Sequence, residues 1–115
     1  MNDWAAGYVT DTEYTYGHYV ELNPLRSRLA LLNYGLAFPE VKTACELGFG
    51  QGISINLHAA ASRSQWHGTD FNPAQVAGAL ELGEASGCDM VLCDHAFEEF
   101  ARLEDLPNFD FIALH

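Results

Sequence analysis

Three carboxylates, Glu46, Asp70 and Asp94, stand roughly 25 residues apart, the length of one strand, one helix and the return. Directly after the first of them runs Gly48-Phe49-Gly50-Gln51-Gly52. Glycine tolerates positive φ and carries no Cβ, so a turn of this kind lets a ligand come close to the backbone. A helix opening after it offers unpaired N–H groups and a positive dipole end to an anionic group. In a parallel sheet, ligands lie in the crevice beyond the carboxyl ends of the strands. Carboxylates at successive strand ends therefore line one rim, where they accept hydrogen bonds from hydroxyls and amines or face a cation.

The elements that must hold these groups are legible from periodicity and punctuation. Residues 1–22 are rich in aromatics (Trp4, Tyr8, Tyr14, Tyr16 and Tyr19) without a clean period, and read as an irregular arm with a short extended piece around Tyr8 to Thr10. Asn23 suits an N-cap and Pro24 the first helical position, which predicts a helix over 24–34 with Leu25, Leu29, Leu32 and Leu36 on one side and Gly35 as its stop. From Val41 onward, apolar runs alternate with helical stretches. Strands are expected at 42–47, 65–70, 90–93 and 109–114. Between them, a helix over 50–62 packs through Ile53, Leu57, Ala60 and Ala61. A second helix, opening at Asn72-Pro73 and ending at Gly87, packs through Val76, Ala77, Leu80 and Gly83, and a weaker third covers 96–103. Such alternation predicts an α/β fold: a Rossmann-like parallel sheet of about four strands with flanking helices and right-handed crossovers. The division expected is an arm and cap helix over 1–40 and the Rossmann-like part over 41–115.

Composition narrows the partners. The chain of 115 residues has the length of one domain, and at 49% hydrophobic residues it can bury a core. Its net charge of −11, with 5 Lys+Arg against 16 Asp+Glu, argues against a nucleic-acid partner, because phosphate neutralisation needs cations. No apolar run is long enough for a bilayer and no signal peptide opens the chain, so the expected location is cytoplasmic, without a membrane. Cys45, Cys88 and Cys93 form no CxxC pair and fit reduced thiols. His18, His58, His67, His95 and His115 show no metal-ligand spacing, and no metal is expected.

Three nucleotide-type readings compete for the glycine turn. A P-loop requires Gly-Lys-Ser/Thr, and Ile53-Ser54 follows Gly52, which removes that reading. A dinucleotide site wants GxGxxG, with the third glycine packing helix on strand; Ile53 occupies that place and its branched side chain obstructs it. The acidic residue after the second strand keeps a nicotinamide-dependent oxidoreductase domain as an alternative. The third reading is the better match. Glu46-Leu47-Gly48-Phe49-Gly50-Gln51-Gly52 resembles the first motif of class I S-adenosylmethionine-dependent methyltransferases. Gly68-Thr69-Asp70-Phe71-Asn72 resembles their second-strand signature, Cys93-Asp94-His95-Ala96 their third-strand end, and Phe109-Asp110-Phe111-Ile112-Ala113-Leu114-His115 the fourth-strand motif that opens towards the transfer site. Tyr14-Thr15-Tyr16 with Tyr19-Val20-Glu21-Leu22-Asn23-Pro24 resembles a bacterial subgroup with a Tyr-rich arm, many of whose members carry a methyltransferase regulatory domain.

The resemblance implies a sheet order of 3-2-1-4 and S-adenosylmethionine as cofactor. Glu46 and the backbone at Gly48, Phe49, Gly50 and Gly52 would then face the methionine portion. Asp70 would meet the ribose hydroxyls and Asp94, with His95 and Ala96, the adenine. Phe71 and Phe97 are candidates to sandwich the base, and Tyr16 or Tyr19 could close over the cofactor and reach its carboxylate. His115 is the weak candidate for a catalytic base. The family's sheet usually has seven strands, so the chain is expected to be the N-terminal part of a longer enzyme. It would bind cofactor with little or no turnover and self-associate through the exposed edge of the fourth strand. A non-catalytic S-adenosylmethionine-binding module is a second alternative. The methyl acceptor, a small molecule or a protein, is not indicated.

Overall fold

The computed structural model describes residues 16–115. The expected extended piece around Tyr8 to Thr10, and Trp4, Tyr8 and Tyr14, lie outside these residues. After a 3-10 turn at Val20–Leu22 come α1 (Pro24–Asn33), β1 (Thr43–Leu47), α2 (Ile53–Ala60), β2 (Gln65–Thr69), α3 (Pro73–Ser86), β3 (Met90–Cys93), α4 (Phe97–Ala101) and β4 (Phe111–Leu114). The four strands are all parallel in the order β3-β2-β1-β4, with Thr43 opposite Gln65, Ala44 opposite Phe111 and Trp66 opposite Met90. This is the predicted sheet order.

The helix boundaries follow from their caps. The Asn23 side chain accepts from the Leu25 N–H at 3.0 Å, and Asn72 accepts from Ala74 at 3.0 Å, each with proline at the first helical position. At the other end of α1, the Gly35 N–H bonds the Leu32 carbonyl and the Leu36 N–H reaches back to Leu31 at 2.9 Å, which closes the helix in a Schellman arrangement. At the amino edge of the sheet, Asp110 accepts from the N–H groups of Lys42 (2.8 Å) and Thr43 (3.1 Å), tying β4 to the start of β1.

The core is built on β1 and β2: Ala44, Phe49, Ile55, Trp66, Val76 and Ala79 form one buried cluster. Helix faces differ from the periodicity reading. On α2 the buried residues are Ser54, Ile55, Asn56 and His58, while Leu57 is exposed; on α3 they are Gln75, Val76, Ala79 and Gly83, while Ala77 and Leu80 are exposed. The cause is close helix packing. A Cβ on Gly52 would stand 2.5 Å from the Ala79 Cβ, so α3 presents its small residues to the glycine turn and turns its leucines outward. The buried polar residues of α2 are held by hydrogen bonds instead: the Asn56 amide donates to the carbonyls of Gly52 (2.8 Å) and Ala79 (3.2 Å). The leucine stripe of α1 keeps its helical phase, yet none of its residues is buried; Leu29 is 68% exposed.

Candidate functional site

β1 delivers the chain into the glycine turn at its carboxyl end, where the Gly48 N–H makes the last rung to the Thr69 carbonyl at 2.8 Å. Gly48, Gly50 and Gly52 adopt φ of 68°, 61° and 79°, the left-handed region in which a side chain is strained. The alternation of left-handed glycines with Phe49 and Gln51 curls the backbone around a small cleft. Phe49 is buried in the core cluster beneath it. Glu46, Gly48, Gly50, Gly52, Tyr19 and His115 are among the residues lining this cleft, whose volume is ≈ 80 Å³. That is well under the roughly 300 Å³ at which sites begin to enclose a drug-sized ligand, and suits an amino-acid-sized end group.

Glu46 is 2% exposed, and its Oε1 has no hydrogen-bond partner among the described residues. Burial raises its carboxyl from 4.5 to about 8, so the group holds its proton at neutral pH. A cation placed in the cleft would favour the carboxylate. Asp70, just past the end of β2, links the rim to the turn. One oxygen accepts from the Gly50 N–H at 2.9 Å and the other from the Asn72 N–H at 3.0 Å. With its amide nitrogen towards the carboxylate, Gln75 donates to both oxygens (2.9 and 3.2 Å). Burial pushes the Asp70 carboxyl up, and the N–H bonds of Asn72 and Gly50 oppose it.

The turn after β3 is pinned by Thr69, whose hydroxyl donates to the His95 carbonyl (2.5 Å) and accepts from the His95 N–H (3.1 Å). Asp94 stands exposed on this turn, and the Ala96 N–H donates to Glu99 at 3.3 Å. Phe97 leans over Gly48, its ring 3.3 Å from where a Cβ would sit. The arm is clasped to α2: the Tyr19 N–H donates to the Ser54 hydroxyl at 2.7 Å, and the His18 and His58 Nε2 atoms lie 3.1 Å apart. Tyr19 then stacks on His115 with ring centroids 4.0 Å apart, and both border the cleft.

Of the residues expected from sequence, the structure thus gathers Glu46, Gly48, Phe49, Gly50, Gly52, Tyr19 and His115 at one cleft and joins Asp70 to it through Gly50. Asp94, His95 and Ala96 lie on the turn that Thr69 ties to β2, and Phe71 is half-buried beside Asp70 in the chain. Tyr16 is 71% exposed and does not line the cleft. Asp110, read as part of a motif opening towards the transfer site, sits instead before the amino end of β4; the residue at the carboxyl end is His115. Gln75, Ser54, His58 and Thr69 were not singled out from the sequence. Gln75 alone carried a usable signal, three positions after the Asn72 cap and thus facing back onto the helix start.

No protein-family model matches this chain. Among curated proteins it is 43% identical to the uncharacterized protein sll1526 of Synechocystis sp. (strain ATCC 27184 / PCC 6803 / Kazusa), across 97% of this chain and 23% of that protein. Among solved structures it is similar to PKMT2 from Rickettsia typhi in complex with AdoHcy, with a TM-score of 0.71 and 21% identity over 89% of this chain and 20% of that one. It is also similar to a proposed O-methyltransferase from Klebsiella pneumoniae, with a TM-score of 0.61 and 18% identity over 87% of this chain and 45% of that one. The chain therefore spans about a quarter of the curated relative it matches. Its fold is the Rossmann-like fold of class I methyltransferases. Among the described residues no helix is long and apolar enough to cross a membrane.

Proposed function

We propose that this chain binds S-adenosylmethionine in the glycine cleft, as the cofactor-binding portion of a methyltransferase acting on a small molecule or a protein. The observation that carries the reading is Glu46: a buried carboxyl with an oxygen unpartnered among the described residues, on the wall of a left-handed glycine turn. A buried polar atom without a partner is costly unless a ligand supplies one. The ammonium of the methionine portion is such a partner, and the curled backbone of the turn leaves room for its carboxylate. The AdoHcy-bound state of PKMT2, whose fold this chain shares, supports the same assignment.

In this reading Asp70 meets the ribose hydroxyls, exchanging the Gln75 amide for them while keeping Gly50 and Asn72. Asp94, His95 and Ala96 face the adenine, with Phe71 and Phe97 against its faces, and Tyr16 and Tyr19 belong to a closing arm. The cofactor supplies an electrophilic methyl on a sulfonium. The protein's part is to orient it, exclude water and hold the acceptor in line. His115 is the candidate base for an acceptor that must lose a proton. The fold alone equally accommodates a non-catalytic binding module. The edge position of β4, where Ile112 and Leu114 are 59% and 61% exposed, favours self-association along this strand. Light scattering should show oligomers that Ile112→Lys disperses; a monomer at high concentration would remove that idea.

Titration calorimetry with S-adenosylhomocysteine tests the binding claim. Wild type should give saturable heat, and Asp70→Ala should lower the affinity by about tenfold or more, the scale of one lost charged hydrogen-bonding group. Saturable binding of NADH in place of S-adenosylhomocysteine would favour the oxidoreductase reading.

A further inference from the structure

Among the described residues a second cavity, larger than the glycine cleft, lies away from the glycine turn, at the amino ends of the strands. It measures ≈ 460 Å³, within the span of sites that enclose small organic ligands. Its walls are the segments leading into β1 and β2 and the first turn of α1. The chain has 5 Lys+Arg against 16 Asp+Glu. Three of those five cations, Arg28, Lys42 and Arg63, nonetheless line this one cavity, with Glu40 as its single carboxylate. Among the described residues the ion pairs are Arg102 with Glu98 and His95 with Glu99, so neither arginine of the cavity is in one.

That distribution is unusual for a solvated face. Lys42 already has the Asp110 carboxylate for a neighbour, whereas Arg28 and Arg63 are in no ion pair among the described residues and repel each other around the hollow. An anion seated among them relieves that repulsion, and guanidinium groups bind carboxylate and phosphate in a bidentate manner. The remaining lining mixes the polar Asn23, Ser62 and Ser64 with apolar residues, among them Phe38, Val41 and Trp66. Trp66 is 1% exposed and its indole N–H is donated to the Ser62 hydroxyl at 3.2 Å, so it borders the cavity with almost no accessible surface, and the half-buried Phe38 and Val41 carry the apolar wall. The first turn of α1 adds the positive end of its dipole, while the Leu25 N–H is occupied by Asn23.

We propose that this cavity is a second ligand site, for an organic anion whose apolar body sits against Phe38 and Val41, next to the buried Trp66, and whose carboxylate or phosphate is held by Arg28, Lys42 and Arg63. It lies at the opposite ends of the strands from the glycine cleft and does not depend on what that cleft binds.

Phenyl phosphate is a suitable probe, and Trp66 is the reporter, because in a Trp4→Phe background it is the only tryptophan left of the two. Saturable change in Trp66 emission is expected, at least about tenfold tighter than with inorganic phosphate or phenol, since neither fragment uses both kinds of wall. Arg28→Ala and Arg63→Ala should each weaken binding by about tenfold, the scale of a lost charged hydrogen-bonding partner. Glu40→Gln should tighten it, and added salt should weaken it. Both arginines are exposed, and far-UV circular dichroism identical to wild type is the check that each variant is folded. The proposal is overturned by absence of saturation, by equal affinity for inorganic phosphate, or by unchanged affinity in both arginine variants. Displacement of phenyl phosphate by S-adenosylhomocysteine would place it in the glycine cleft and overturn the proposal as well.

Discussion

Glutamine in place of Glu46 is the perturbation with the clearest sign. Burial raises this carboxyl from 4.5 to about 8 in the folded chain. Below pH 4.5 both folded and unfolded chains carry the proton, and the group contributes no pH dependence. Between 4.5 and about 8 the unfolded chain releases the proton and the folded chain keeps it, so stability falls as pH rises, by about 1.4 kcal/mol per pH unit. By pH 7 that amounts to about 3 kcal/mol as an upper bound, and the loss levels off above about 8. Glu46→Gln keeps the shape and removes the titration. It should match wild type in urea unfolding near pH 4.5 and exceed it progressively up to about 8. Burial also shifts Asp70 and His58, but these contributions are common to both proteins and cancel in the difference. The same group makes ligand binding proton-linked. If the ammonium of S-adenosylhomocysteine selects the carboxylate, calorimetry in buffers of different ionisation enthalpy should report close to one proton released near neutral pH, and none for Glu46→Gln. A stability difference that is flat with pH, together with no proton release in wild type, would refute the reasoning.

Two further outcomes follow from the packing around the turn. Gly52→Ala forces a Cβ to 2.5 Å from the Ala79 Cβ at a φ of +79° and should cost about 3 kcal/mol; Gly87→Ala, at φ +73° in open space, should cost only about 1 kcal/mol, both read from denaturant midpoints. His58, held neutral by burial and then by His18, has its imidazole lowered from 6.5 to about 4. Its contribution to stability is therefore lost as pH falls through that window. His58→Phe should flatten the wild-type decline in melting temperature between those two pH values, and an unchanged decline would contradict the assignment.

What the sequence made legible was punctuation and order. Asn-Pro pairs at 23–24 and 72–73 announced two helix starts, Gly35 and Gly87 two helix ends, and the alternation of short runs with helical stretches all four strands, although β2, Gln65–Thr69, is itself mostly polar. These signals are local, resting on φ preferences and missing N–H groups. Side-chain facing was less legible, because it is decided by close approach between helices. Leu57 and Leu80 have the periodicity of core residues, yet Ala79 against Gly52 draws the backbones so near that small and hydrogen-bonded side chains take the interior. The same holds at the site. Glu46, the glycines and Asp70 could be placed by strand phasing and Gln75 by its position after the Asn72 cap, whereas Ser54 under the arm depends on a contact between residues far apart in the chain.

The most direct measurement is backbone amide NMR of the 115-residue chain titrated with S-adenosylhomocysteine. The account predicts saturable shifts centred on Gly48, Gly50 and Gly52, extending to Asp70 and the Asp94 turn, with the amides around Arg28 and Arg63 unmoved. Shifts absent from the glycine turn, or appearing there with NADH and not with S-adenosylhomocysteine, would contradict it.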